Sequence, residues 1–308
     1  MSNAADSAER HAQSGVLIGL AAYTMWGVFP VYFKLIESVA PLEVLTHRVV
    51  WAVPFGALII ALRSQWSEVK IAFGHRRMML GLCTSALFIT INWLIYIWAI
   101  QNGRIFESSL GYYINPLLYV LVGVLFLGER LRTLQIAAVV LASIGVLFLT
   151  INGGVFPWVA LSLAASFTVY GVIRKQIVVG AMPGLFVETS ILFPFALGWL
   201  IWIVQAGQAS IVNADTTITL LLLLGGPITV VPLLMFAIAA RRLTMTAIGF
   251  MQFLAPTLQF LTGVYYGETL TPAHMVCFAF IWAAVVVFSI DAMLRGRKKP
   301  LREIPAKA

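Results

Sequence analysis

WAIQNGRIFESSLGYY at residues 98–113 recurs without gaps as FAIAARRLTMTAIGFM at residues 236–251. The likeness extends in both directions. Downstream, Pro116 and Gly123 match Pro256 and Gly263 at the same spacing, and Gly128-Glu129 matches Gly267-Glu268 after small insertions. Upstream, AAYTMWGV (21–28) parallels ASFTVYGV (165–172), and Pro54-Phe55 parallels Pro194-Phe195. The chain is therefore read as two related halves.

Composition decides what solvent those halves meet. Hydrophobic residues make up 61% of the 308 residues and charged residues only 10%, against about 45–50% and about 25% in soluble chains. So few charges cannot cover a soluble surface of this size, so most of the surface faces lipid. Two cysteines, Cys83 and Cys277, both within apolar segments, exclude a disulfide scaffold. The net charge of +8 would suggest nucleic acid in a soluble protein. Here the basic residues gather in particular loops, which is the signature of membrane orientation, and no nucleic-acid partner is expected.

About 17–25 apolar residues cross the hydrocarbon of a bilayer as a helix. Ten such windows can be drawn: 15–36, 43–62, 78–101, 108–127, 133–150, 156–173, 184–204, 218–239, 246–266 and 273–293. They lack the alternation of a barrel strand, so an all-α, multi-pass integral membrane protein is predicted. Before the first window runs polar MSNAADSAERHAQS with no small-residue cleavage pattern, which reads as a cytoplasmic tail (1–14) and a retained helix. Of the twenty Lys and Arg residues, seventeen fall on the N-terminal side of the membrane, Arg104 alone on the other, and Lys34 and Arg48 within windows. Both termini are thus expected in the cytoplasm. Five windows per half make the second copy enter from the opposite face. The expected organisation is a first five-helix repeat (15–150), an inverted second repeat (151–293) and a basic cytoplasmic tail (294–308). Inverted repeats are the architecture of alternating-access carriers.

A charge at mid-bilayer costs about 2.5–3.5 kcal/mol on insertion scales, so each one needs a reason. Six of the ten windows carry none. The second opens Glu43-x3-His47-Arg48-x2-Trp51, in which Glu43 and His47 can pair on one helical face. Arg48, about two turns into the helix, can hold a substrate carboxylate or an ion pair at the outer gate; the plainer reading is a side chain that snorkels to headgroups. Glu188 stands six residues before Pro194, as Arg48 stands six before Pro54. The two are expected to serve opposite gates without touching, with pairing of Glu188 to a loop arginine as the structural alternative. Lys34 is expected to neutralise an acid at the outer end or to snorkel.

Closer to the midplane the sequence is polar but uncharged. Asn92 and Trp93 centre the third window, Tyr112, Tyr113 and Asn115 precede Pro116 in the fourth, and Gln252 precedes Pro256 in the ninth. Each proline frees the carbonyl four residues back, and two broken helices at matching positions are a pointer to a midplane site. Trp26 and Tyr170, equivalent by the repeat, would add aromatic walls; packing is the bland alternative for each. No acid sits at the midplane, so proton coupling is left open, with Glu43, His47, Glu107 and Glu188 as its titratable candidates. The windows at 133–150 and 273–293 read as peripheral or dimer-facing supports, leaving monomer and homodimer both open, with Asp291 as an anchor beside the basic tail. No metal-ligand spacing, cofactor motif or phosphate-cradling loop is present, so neither an enzyme nor a bound cofactor is expected.

Several segments together resemble the drug/metabolite transporter superfamily, in particular its EamA family and the RarD branch, whose members are described as chloramphenicol-sensitivity or -resistance proteins. They are WGVFPVYFKLI (26–36), EVLTHRVVW (43–51), NWLIYIWA (92–99), ESSLGYYINPLLYVLVGVLFLGERL (107–131), VYGVIRK (169–175), FVETSILFP (186–194) and GFMQFLAPTLQFL (249–261). The resemblance implies ten helices around a central cavity lined by helices 1, 3, 4, 6, 8 and 9, in a multi-pass protein of the bacterial inner membrane. It also implies efflux of amino acids, metabolites or amphipathic drugs. By position, the cavity residues it implies are Trp26, Asn92, Trp93, Tyr96, Tyr112, Asn115, Tyr170 and Gln252. The expected function is secondary transport of a small molecule, with membrane lipid as the surrounding partner. A passive facilitator and an intramembrane enzyme are the alternative classes.

Overall fold

The computed structural model describes residues 2–127, 132–154, 156–213, 215–243 and 245–296. Every regular element among them is a helix. In chain order these are α1 (Ser2–Gly27), α2 (Phe29–Leu35), α3 (Pro41–Leu62), α4 (Trp66–Gly74), α5 (Arg76–Gln101), α6 (Ile105–Leu127), α7 (Thr133–Gly153) and α8 (Trp158–Gln176). There follow α9 (Ala181–Gln205), α10 (Ser210–Asn213), α11 (Thr216–Leu223), α12 (Gly225–Ala240), α13 (Met245–Met251), α14 (Leu254–Tyr265) and α15 (Pro272–Gly296). Among the described residues, eight stretches are long and apolar enough to cross a membrane: Gln13–Leu35, Pro41–Leu62, Arg76–Gln101, Thr133–Gly153, Ala181–Gln205, Thr216–Ala240, Ala247–Tyr265 and Pro272–Asp291. The other two expected windows are occupied by α6 and α8, which are helical but outside those eight. The Gly128-Glu129 half of the sequence match lies outside the described residues.

The outward faces are apolar at helical spacing. On α7, Ile136, Val140, Ile144, Leu147 and Ile151 are all exposed and fall on one stripe. Such a stripe is stable against lipid chains and not against water.

The helices meet in a closed ring of neighbours: α1, α12, α3, α9, α5, α8, α6, α14 and back to α1. The ring maps onto itself when each helix is exchanged for the one its sequence match pairs it with, α1 for α8, α12 for α5, α3 for α9 and α14 for α6. Outside the ring, α7 and α15 pack on one another and against α6. A Cβ at Gly145 would lie 2.9 Å from Phe280 Cβ and 3.0 Å from the Cys277 carbonyl, so glycine there lets the two backbones approach. This placement agrees with a peripheral role for the fifth and tenth windows.

Side-chain bonds identify the two ends of the bundle. At the end carrying Arg104, Gln101 Nε2 donates to the Ile36 and Val39 carbonyls (3.1 and 3.0 Å). There too, Glu268 accepts from the backbone N–H groups of Ile105 (2.7 Å) and Phe106 (3.1 Å), occupying the orphan donors at the start of α6. At the opposite, basic end, Glu68 accepts from Gly180 N–H at 3.2 Å and Arg242 Nη1 donates to Ser14 at 2.9 Å.

Helix interruptions depart from expectation. α6 runs through Pro116 without a break, which corrects the broken helix expected there. The ninth window does divide, at Gln252 and Phe253, just ahead of Pro256. Two further interruptions come at Val28 and Leu224. The interrupted first window lies between the other two, since α1 contacts both α12 and α14. Side chains take up carbonyls at two of the interruptions. Pro30 lacks the N–H that would reach the Trp26 carbonyl, and Gln259 Nε2 donates to that oxygen instead at 3.2 Å. Tyr32 OH donates to the Leu221 carbonyl at 2.8 Å, beside the break between α11 and α12.

Candidate functional site

Two buried charges lie inside the ring, at matching positions of the two halves. Arg48 on α3 is 3% exposed. Its guanidinium carbon stands 4.7 Å from the centre of the Trp93 ring and 5.4 Å from that of Phe33, within cation–π range. Nε donates to Thr229 Oγ1 at 3.1 Å, while Nη1 is buried with no hydrogen-bond partner. Among the described residues no carboxylate lies within 4.0 Å of it. Tyr96 OH, in the same aromatic cluster, is also buried without a partner, and its ring meets Phe33 and Tyr112 edge to face. The local sequence explains the approach of α12. Gly225 and Gly226 lie against α3 at Arg48 and Trp51, where a Cβ on Gly226 would collide with the Trp51 carbonyl.

Glu188 on α9 is fully buried. Ser85 Oγ donates to its Oε1 at 2.5 Å, Tyr170 OH reaches Oε2 at 3.5 Å, and Arg174 Nε lies 3.6 Å from Oε1. Arg174 also donates to the Gly180 carbonyl at 3.3 Å and packs over Gly184, where a Cβ would strike its guanidinium. This cluster joins α5, α8 and α9.

Asn92 is not a free ligand. Its Nδ2 donates to the Leu163 carbonyl and to Ser166 Oγ, both at 3.0 Å, and its Oδ1 accepts from Tyr112 OH at 3.1 Å. It ties α5, α6 and α8 together. Tyr113 OH pairs with Thr257 Oγ1 at 2.7 Å. Asn115 is buried with Oδ1 unpartnered. Trp26 packs against Tyr23 and Phe236, and Gln252 sits at the interruption of the ninth window. The structure therefore brings Trp93, Tyr96, Tyr112 and Asn92 to the Arg48 cluster and Tyr170 to Glu188, and places Trp26 apart from both.

The remaining charged candidates sit toward the Arg104 end. Glu43 accepts from Ser210 Oγ at 2.8 Å and Ile211 N–H at 3.4 Å, with His47 Nε2 at 4.0 Å. Lys34 pairs with Glu37 at 3.0 Å, and Arg104 with Glu107 at 3.3 Å. Arg132 Nη1 reaches Asp291 Oδ1 at 4.0 Å. In the loop between the last two spans, burial pushes Glu268 up to about 7, against the opposing pull of the two N–H groups it accepts. At the basic end a crevice of about 230 Å³ opens between α3, α9 and α12, with Arg63 and Arg241 on its rim. No group of metal-ligating side chains assembles among the described residues.

Thr229, Ser85 and Arg174 complete these clusters, and no sequence motif singles them out as site residues. Thr229 is distant in sequence from Arg48, and a lone threonine in an apolar helix carries no signal. Arg174 could have been found, because it is a basic residue closing a helix that otherwise reads as a span.

Residues 13–151 match the EamA-like transporter family. The chain is 46% identical over 290 residues to a protein of Vibrio cholerae named as an uncharacterized transporter, covering 94% of this chain and 96% of that one. It is 43% identical over 290 residues to Protein RarD of Escherichia coli K12, covering 94% and 98%. A crystal structure with 21% sequence identity superposes with a TM-score of 0.59 over 93% of this chain and 99% of its own, which speaks to fold alone.

Proposed function

Because the chain belongs to the EamA-like transporter family, in its RarD branch, we propose that this membrane transporter is a secondary carrier. It exports small amphipathic metabolites, amino acids or drugs by alternating access. In this reading ten helices cross the bacterial inner membrane as two inverted five-helix repeats, residues 15–150 and 151–293, with both termini in the cytoplasm. The single observation that carries the reading is the ring of helix neighbours, which is unchanged when the two halves are exchanged. A fold with that property has two related arrangements available, one for each face. The interruptions support it further. They fall in the first, eighth and ninth windows, whereas the helices matching them, α8, α5 and α6, are continuous. The two halves thus hold different conformations at equivalent places, as alternation between them requires.

The proposed binding region is the polar and aromatic interior of the ring, around Trp93, Tyr96 and Tyr112, with Arg48 above it and Glu188 below. Counterflow in proteoliposomes tests the proposal. A carrier loaded inside with unlabelled substrate transiently concentrates labelled substrate from outside. A passive facilitator only equilibrates the label, and that result would replace the carrier with the alternative reading.

A further inference from the structure

Arg48 is a buried cation of the ring interior with no carboxylate within 4.0 Å among the described residues. Glu188, at the matching position, has Arg174. Glu43 nearby is already engaged by Ser210, Ile211 and His47. Around Arg48, instead of an acid, stand the faces or edges of Phe33, Trp93 and Tyr96, and the phenols of Tyr32 and Tyr112. A guanidinium edge left free, beside a buried phenol that also lacks a partner, offers donors without an acceptor. A carboxylate is an acceptor-only group whose two oxygens fit the guanidinium fork.

Resting on the carrier reading above, we infer that Arg48 is the anchor for the carboxylate of a substrate that is an aromatic monoanion. Three features fix the class. Among the described residues no second cation joins the cluster, so a single negative charge is neutralised and a dianionic phosphate would bring one charge too many. The walls are aromatic, so they take a flat apolar body more readily than a sugar or a polar chain. Tyr96 OH supplies one further donor to the same oxygen pair or to a carbonyl next to it. The Trp93 ring centre lies 4.7 Å from the guanidinium carbon, and Nη1, buried without a partner, is the donor left for the ligand.

The test is binding to the purified full chain in lipid nanodiscs, read as a thermal shift, using three acids with their amides: benzoate, phenylacetate and indole-3-acetate against benzamide, phenylacetamide and indole-3-acetamide. The expected result is that at least one acid binds ten-fold or more tightly than its own amide. Arg48→Gln should abolish that preference, Arg48→Lys should keep part of it, and Trp93→Leu should weaken acid and amide alike. The inference is overturned if no acid outbinds its amide in the unaltered protein, a comparison that needs no variant to fold. It is also overturned if Arg48→Gln keeps the preference. Counterflow of the same compounds separates this inference from the carrier reading. Saturable counterflow of amides with no preference for acids leaves the carrier and removes the anchor. Arg48-dependent acid binding without counterflow of any compound leaves the anchor and removes the carrier.

Discussion

Arg48 and Glu188 occupy matching positions, each six residues before a proline within its helix, and both are shut away from solvent. Their surroundings differ in kind. Glu188 has an arginine and two hydroxyls, so its cluster is electrically closed and links three helices. Arg48 has one threonine and a set of rings, so its charge is softened by cation–π contact but not cancelled. A buried ion pair is weak evidence for stability, yet removing one partner is expensive because the other is stranded. The same rule gives opposite expectations at the two sites. The closed cluster should behave as structure, and the open one as a feature the fold carries for a ligand.

The largest expected effect comes from breaking the closed cluster. Arg174→Met strands the Glu188 carboxylate and should lower stability by about 3–5 kcal/mol, seen as a fall in the thermal unfolding midpoint of the purified protein. Unchanged stability would mean that Glu188 is not held by Arg174, and the contrast with Arg48 would disappear.

Next is the packing that sets α12 against the open cluster. Gly226→Ala puts a Cβ into the Trp51 carbonyl, which belongs to backbone and cannot swing aside. A loss of about 1–3 kcal/mol is expected, together with weaker aromatic-acid binding because Thr229 moves with α12. Gly249→Ala, where a Cβ meets nothing within 4 Å, is the matched control.

Asn92, which joins the Arg48 cluster through Tyr112, sharpens the comparison. As a substrate contact its removal would affect binding more than folding. Bonded as it is to Leu163, Ser166 and Tyr112, Asn92→Ala should cost about 1–3 kcal/mol of stability, with Tyr112→Phe costing about 1 kcal/mol. Thermal unfolding of both variants beside their binding curves distinguishes the two roles.

A separate effect concerns pH and lies away from both clusters. Glu268 is raised from its ordinary carboxylate range to about 7 by burial. A raised acid is favoured in its protonated form by folding, so its contribution is fully present below about 4.5, declines as pH rises toward 7, and is gone above it. Glu268→Gln should flatten the unfolding midpoint across that window. A slope that persists in the variant would assign the pH dependence to another group.

Much of this organisation was legible in sequence. The apolar windows, the internal match and Arg48 came from the chain alone, because hydropathy and the scarcity of charge are strong signals in lipid. The partners were not legible. Nothing local says that Thr229 will meet Arg48 or that Gln259 will take the carbonyl freed by Pro30, since both depend on packing between distant helices. Proline was an uncertain guide to breaks for the same reason. Pro116 sits in a continuous helix packed on α8 and α14, while the break at Leu224 comes two residues ahead of Gly226-Pro227, inside a stretch that reads as uniformly apolar. Asn92 reads as a ligand because it is polar at mid-window; that its amide bonds to Leu163, Ser166 and Tyr112 depends on packing between helices and has no local signal.

The most direct test of the contrast is the thermal unfolding midpoint of Arg48→Met without added ligand, measured beside Arg174→Met. Removing Arg48 strands nothing, because Thr229 Oγ1 also donates to the Gly225 carbonyl at 2.8 Å. The account predicts that Arg48→Met unfolds at or above the temperature of the unaltered protein while Arg174→Met unfolds well below it. An Arg48→Met midpoint that falls as far as that of Arg174→Met would make both charges structural and contradict the account.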